Sequence, residues 1–164
     1  MKIFKTMEVK TPQRGTSVAA GIDFFVPEQT EEFIQAFREK NPGVFMNDGG
    51  ITLNPHQRVN IPSGIKANVP KGYALIAFNK SGVSLKYGLD VGATVVDEDY
   101  QGVIHLSLTN TSMNSVHIDF GQKIVQFILI PMFYDKVELI ENEDDLFDTE
   151  SERGEGGFGS TGTK

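Results

Sequence analysis

The chain has no cysteine and no tryptophan among its 164 residues. Without cysteine it can form no disulfide, present no thiolate nucleophile and hold no metal through sulfur. No stretch approaches the roughly 18 apolar residues of a membrane-spanning helix, and the start, Met1-Lys2-Ile3-Phe4-Lys5, has no apolar signal core. These absences point to an intracellular, cytoplasmic protein with no membrane partner. Basic residues are also scarce: 15 Lys and Arg stand against 22 Asp and Glu, for a net charge of -7. Duplex binding rests on Lys and Arg neutralising phosphates, so this balance argues against broad nucleic-acid binding. A small anion remains admissible, because a local cation and backbone N–H groups can outweigh the global sign.

What is present is an ordinary globular composition, 39% hydrophobic with 12 Phe, at a length suited to one domain with a real core. Short β-favouring runs at Ile51–Leu53, Arg58–Ile61, Ile65–Val69 and Tyr73–Phe78 are separated by Asn54-Pro55, Pro62-Ser63-Gly64 and Pro70-Lys71-Gly72. Strands punctuated this closely by Pro and Gly predict an all-β sandwich or barrel. A further strand is expected within Phe4–Val9. Residues 27–42 differ: Pro27 can open a helix, Phe33, Ile34 and Phe37 share one face, and Asn41-Pro42-Gly43 stops it. This segment is expected to be the one substantial helix, an insertion that packs on the body or faces a partner.

Several stretches carry chemistry. Ala20-Gly21-Ile22-Asp23 places small residues ahead of a carboxylate, which suits either a solvated strand or close backbone approach to a ligand. Lys80-Ser81-Gly82 sets a cation, a hydroxyl and a glycine side by side after a strand, as a turn or an anion cradle does. Gly92 to Leu106 reads as a hairpin: Val95 and Val96 on one side, Val103, Ile104 and Leu106 on the other, and Asp97-Glu98-Asp99-Tyr100-Gln101-Gly102 at its tip. Gln126, beside the apolar run Phe127–Met132, suits a satisfied buried amide or a ligand contact. Between Glu141 and Glu152 lie seven carboxylates and no base, followed by Arg153-Gly154-Glu155-Gly156-Gly157-Phe158-Gly159-Ser160-Thr161-Gly162. That tail reads as a linker, or as an arm that closes on an anion through Arg153 and stacks Phe158 on a ring.

Taken in order, these segments resemble the five motifs of the trimeric dUTP pyrophosphatase (dUTPase) family. Ala20–Asp23 is similar to the first, Lys80–Gly82 to the second, Gly92–Gly102 to the third, Gly121–Gln126 to the fourth and Arg153–Gly162 to the fifth. The resemblance implies a β-sandwich or jelly-roll-like body over residues 1–147, with the helical insertion at 27–42, and a mobile glycine-rich arm over 148–164. It also implies a homotrimer whose active sites are shared between subunits. The implied reaction is hydrolysis of dUTP to dUMP and pyrophosphate, which keeps uracil out of DNA and supplies dUMP for thymidylate synthesis.

In that scheme Asp97 is the general base for water attack on the α-phosphorus. Lys80, Ser81 and Gly82 contact phosphates, Gln126 sits close to them, and Arg153 clamps the terminal one. Tyr100 lies against the deoxyribose, and main-chain groups of Gly92, Val96 and Val103 read uracil. Gly157, Phe158, Gly159 and Ser160 belong to the closing arm. Mg²⁺ is the implied cofactor, held mainly by the phosphates and through water by Asp23. The chain departs from the family pattern at Lys80, where Arg is more usual, at Thr94, where glycine is, and at Val125, where alanine is. The rival readings are a dCTP deaminase or bifunctional relative, and a regulatory binding protein switched by dUTP on the same scaffold.

Overall fold

A computed structural model describes residues 1–157 of the chain. The elements run β1 (Lys2–Lys5), β2 (Gln13–Arg14), β3 (Ile22–Phe25), α1 (Glu31–Lys40), β4 (Phe45–Asn47), β5 (Gly50–Leu53), β6 (Arg58–Pro62), β7 (Ile65–Asn68) and β8 (Tyr73–Asn79). They continue with α2 (Ser81–Tyr87), β9 (Leu89–Val91), β10 (Val95–Val96), β11 (His105–Asn110), β12 (Val116–Asp119), β13 (Lys123–Pro131) and a 3-10 turn at Glu143–Asp145. Two compact units result, Met1–Phe133 and Tyr134–Lys164, a division ahead of the expected boundary at 147/148.

Among the described residues all the strands lie in the first unit. A five-stranded sheet has the order β10-β8-β13-β3-β2, and three-stranded sheets have the orders β6-β11-β9 and β12-β5-β4, with β1 and β7 forming a ribbon. β8 and β13 pair over seven residues, from Val125 opposite Asn79 to Pro131 opposite Tyr73. Alternation sends Leu75, Ala77, Val125 and Phe127 inward, where they are at most 4% exposed. Phe24 and Phe127 meet there with ring centroids 4.5 Å apart.

The insertion is part of this core. Thr30 caps α1 by accepting from the Phe33 N–H at 3.3 Å, and Phe33 and Phe37 are fully buried. Asn41, at the other end, donates to the carbonyls of Phe37 at 2.8 Å and Asn60 at 3.0 Å and accepts from the Asn60 N–H at 2.6 Å. Those bonds tie the end of α1 to β6, so the packed alternative holds for the insertion.

Two expectations are corrected. A second helix, α2, forms where the sequence suggests only a turn or cradle. Its start, Ser81-Gly82, has weak helix formers, and it is held by burial of Val83 and by Gly88 in the left-handed region at φ 65°. The hairpin reading of Gly92–Leu106 also fails. Val95 and Val96 pair with Ile76 and Leu75 of β8, whereas β11 pairs with β6 and β9. The two β-favouring runs thus enter different sheets, because β propensity marks a strand without specifying its partner. The first strand also lies at Lys2–Lys5, ahead of much of the stretch expected for it.

Candidate active site

Three of the sequence motifs converge where β8, β13 and β3 lie side by side. Asp23 stands opposite Gln126 in the β3–β13 register, and Gln126 stands opposite Phe78 in the β13–β8 register. Gly21 is needed just before: the side-chain amide of Gln126 fills the space that a β-carbon there would occupy. Gln126 Nε2 donates to the Asn79 carbonyl at 2.8 Å, which fixes its amide against the residue preceding Lys80. Arg14 shapes the approach to Gly21 by donating to the carbonyls of Ala19 and Ala20.

Asp23 is 5% exposed and ion-paired with two ammonium groups. Lys80 Nζ bonds Asp23 Oδ1, and Lys123 Nζ lies 3.2 Å from Asp23 Oδ2. The local sum is one positive charge, in a chain whose net charge is -7. A buried carboxylate requires such compensation, and a surplus cation attracts phosphate. Lys123 escaped the sequence reading; its signal is a cation three residues before Gln126.

The third motif starts close to this cluster and leaves it. Gly92 follows Val91, whose N–H donates to Asn79 Oδ1 at 2.7 Å. The Gly92 N–H donates to the Ser107 carbonyl at 2.9 Å, and a β-carbon on Gly92 would sit 2.7 Å from Ser107 Oγ. From there the chain runs antiparallel to β8, so Val96 lies opposite Leu75, five residues before Lys80. At about 3.3 Å per residue that is about 17 Å along the strand. Asp97 is exposed just beyond. Glu98 anchors the loop by accepting from the Gly72 N–H at 2.6 Å. Tyr100 folds back over Gly102, and its hydroxyl donates to the Val103 carbonyl at 3.0 Å.

One chain therefore brings Asp23, Lys80 and Gln126 together, with Ser81 and Gly82 next in line, and places Asp97, Tyr100 and Val103 at a distance. Arg153 and Gly157 lie exposed in the second unit, and Phe158, Gly159 and Ser160 lie outside the described residues. Among the described residues no group of three or more His, Asp or Glu side chains is set to hold a metal ion, and no helix is long and apolar enough to cross a membrane.

Residues 48–162 match the dUTPase family model. The chain belongs to the dUTPase family. It is 37% identical over 123 residues to the deoxyuridine 5'-triphosphate nucleotidohydrolase of Hydrogenobaculum sp., covering 74% of this chain and 82% of that protein. The enzyme of the same name from Yarrowia lipolytica is 32% identical over 160 residues, 97% of this chain and 86% of the relative. A point mutant of the Staphylococcus bacteriophage 80alpha dUTPase, solved with dUpNHpp, shares the fold with a TM-score of 0.76 at 21% identity, over 98% of this chain and 97% of that one. A mutant dUTPase from phage phi11 of S. aureus, described as coordinating a structural Mg(II) ion, has a TM-score of 0.69 at 17% identity, covering 90% of this chain and 98% of that one. The match to the dUTPase family model begins at Asp48, so the Gly21–Asp23 motif enters the site on its geometry with Gln126 and Lys80.

Proposed function

We propose that the protein hydrolyses dUTP to dUMP and pyrophosphate at sites built between copies of the chain in a homotrimer. Family membership supports the reaction. The observation that carries the shared site is the separation of about 17 Å along β8 between the third motif and Lys80. Both must reach the same nucleotide, Asp97 through a water at the α-phosphorus and Lys80 through the adjoining phosphates. A single chain leaves that gap open, and the third motif of a neighbour closes it.

The outer face of the five-stranded sheet suits such a neighbour. Ile76 and Phe78 of β8, Ile128 and Ile130 of β13 and Val95 of β10 share that face by register. Phe78 and Val95 are 40% and 60% exposed, and the three isoleucines are partly exposed. An apolar sheet face of this kind is buried stably by a second copy. Asp23 and Gln126 lie at its edge, where two copies would meet.

In the assembled site, Asp97 orients the attacking water and accepts its proton. Lys80, Ser81 Oγ and the backbone N–H groups at the start of α2 receive the phosphates. Tyr100 excludes a 2′-hydroxyl sterically, and backbone groups between Gly92 and Val103 read uracil. Arg153 and Gly157 are assigned to the terminal phosphate and the closing arm on the family resemblance alone, and Phe158, Gly159 and Ser160, assigned to the same arm, lie outside the described residues. Mg²⁺ supplies charge neutralisation and polarisation of the phosphates. The buried carboxylate at the cluster, Asp23, already carries two lysines, so the substrate's phosphates would hold the cation and Asp23 would reach it only through water.

The test is pyrophosphate release from dUTP, beside UTP, dTTP and dCTP, for the wild type, D97N, S81A and an equimolar refolded mixture of the two variants. Turnover of dUTP by the wild type, and a mixture several-fold more active than the mean of its components, is expected, since mixed trimers contain intact sites. A mixture no better than that mean rules out sharing, and ammonia released from dCTP would replace the reaction itself.

A further inference from the structure

Asn79, the last residue of β8, directly precedes Lys80 and belongs to none of the motifs assigned above. Its carbonyl accepts from Gln126 Nε2 at 2.8 Å. Its side-chain oxygen accepts from the Val91 N–H at 2.7 Å, and its side-chain nitrogen donates to Asp90 Oδ1 at 2.8 Å. Asp90 Oδ1 also accepts from Ser84 Oγ of α2 at 2.7 Å, and Asp90 Oδ2 lies 3.4 Å from Thr111 Oγ1. The Asn79 amide thus joins the end of β8, just before α2, to β9, and the Asp90 carboxylate joins β9 to Ser84 of α2, with Gln126 attached through the Asn79 backbone.

The elements they join are short, held otherwise by burial of Val83, by the bonds of Thr111 to the Gly88 carbonyl and by the pairing of β9 with β11. α2 has seven residues, about two turns, and its capping residue Lys80 makes no side-chain cap. β9 has three residues. Yet α2 begins with Ser81 and Gly82, and β9 leads into Gly92. We infer that the Asn79–Asp90 pair is a positioning element of the dUTP site, setting the separation between the groups that receive phosphate and the strand that reads the base. The inference rests on the motif roles proposed above. In a ring of identical copies docked through one sheet face, the bridge recurs in every chain. A displaced α2 therefore shifts the phosphate groups against a neighbour's base-reading strand in all three sites.

The chemistry of the pair permits a reciprocal test. Asn79→Asp is isosteric: it keeps the oxygen that accepts from Val91 and sets a carboxylate against Asp90. Adding Asp90→Asn restores a donor facing an acceptor with reversed polarity. Wild type, N79D, D90N and the double variant are titrated with dUpNHpp, with dUMP and with pyrophosphate, and their thermal melts are recorded. Each fragment uses one end of the site and needs no fixed separation, whereas the whole analogue needs both ends in register.

N79D is expected to weaken dUpNHpp by about 30- to 100-fold, within the coupling range of residues in one hydrogen-bond network, and each fragment by less than about threefold. The double variant should recover at least about tenfold of the loss, because residues in contact couple. Equal losses on analogue and fragments would mean a merely structural role and overturn the inference, as would unchanged dUpNHpp affinity in N79D. If N79D does not fold, S84A and D90N make the same comparison. dUTP turnover by the wild type is read in the same series, so failure of the reaction and failure of the positioning role appear separately.

Discussion

The Tyr100 hydroxyl donates to the Val103 carbonyl at 3.0 Å, bending the ring back over Gly102 so that the loop from Asp97 closes on itself. The ring is 42% exposed, leaving one face open to a ligand. If that face lies on the deoxyribose, the ring and the hydroxyl have separable roles. Tyr100→Ala should reduce the preference for dUTP over UTP by about tenfold or more, the scale of a lost steric exclusion. Tyr100→Phe keeps the ring and should keep most of the preference. Ratios of kcat/KM for the two nucleotides decide it, and equal ratios in wild type and Y100A would dismiss the steric role.

Asp97 is exposed at the end of β10, so it can be changed without disturbing the core. Asp97→Asn retains shape and hydrogen bonding but cannot accept the water's proton. The expected loss is about 10² to 10⁴ in kcat with affinity for dUpNHpp nearly unchanged. Single-turnover rates beside analogue titrations separate the two quantities. An unchanged kcat removes Asp97 from the base role.

Asp23 holds two lysines that differ in burial, 19% exposed for the Lys80 side chain and 54% for Lys123. Lys123→Ala should cost less than about 1 kcal/mol, as exposed pairs do. Asp23→Asn leaves Lys80 facing a neutral amide in a mostly buried position and should cost about 1–3 kcal/mol. Urea denaturation of both variants checks the order, and a larger loss in K123A would contradict this account of the cluster.

His105 gives the body a pH dependence. Burial holds its imidazole below the usual 6.5; a backbone hydrogen bond at Val103 opposes that shift and the positive charge of Lys40 adds to it. Below about pH 6.5 the unfolded chain therefore binds a proton that the folded chain still refuses. Stability falls with acidification from there until the folded imidazole also protonates, by at most about 1.4 kcal/mol per pH unit. Denaturation midpoints of wild type and His105→Gln between pH 7.5 and 5.5 should diverge, the variant losing less. Parallel curves would show that His105 does not titrate differently on folding.

What was legible in the sequence follows from what is local. Pro and Gly interrupt the β-favouring runs from Ile51 to Phe78 at each turn, so the strands there are readable within a residue or two. Partner choice is not local: nothing in Val95-Val96 names β8 as its partner. α2 is obscured because Gly82 and Val83 disfavour helix, and burial of Val83 overrides them. Asp23 and Lys80, 57 residues apart, meet only through sheet order. The motif residues are singled out by resemblance, which supplies long-range pairing that composition and periodicity cannot. Lys123, Asn79 and Asp90 were passed over because each looks like ordinary strand-end or turn chemistry until its partner is known.

The helical insertion offers the sharpest contrast between a decorative segment and a structural one. Its outward positions, Glu31, Glu32, Arg38, Glu39 and Lys40, are exposed and polar, which alone would suit a dispensable surface helix. Phe33 and Phe37 are fully buried, with Phe33 edge-on to Phe120 at 5.9 Å, and Asn41 is bonded to both backbone polar groups of Asn60, donating to its carbonyl and accepting from its N–H. Phe37→Ala should therefore cost about 3–5 kcal/mol, the range for a buried aromatic that leaves a cavity, and Thr30→Ala about 1 kcal/mol from the lost cap. Glu39→Ala on the outer face should stay within about 0.5 kcal/mol. Urea midpoints for the three variants test the ranking. A Phe37→Ala cost as small as that of Glu39→Ala would mean that α1 detaches from the body in solution.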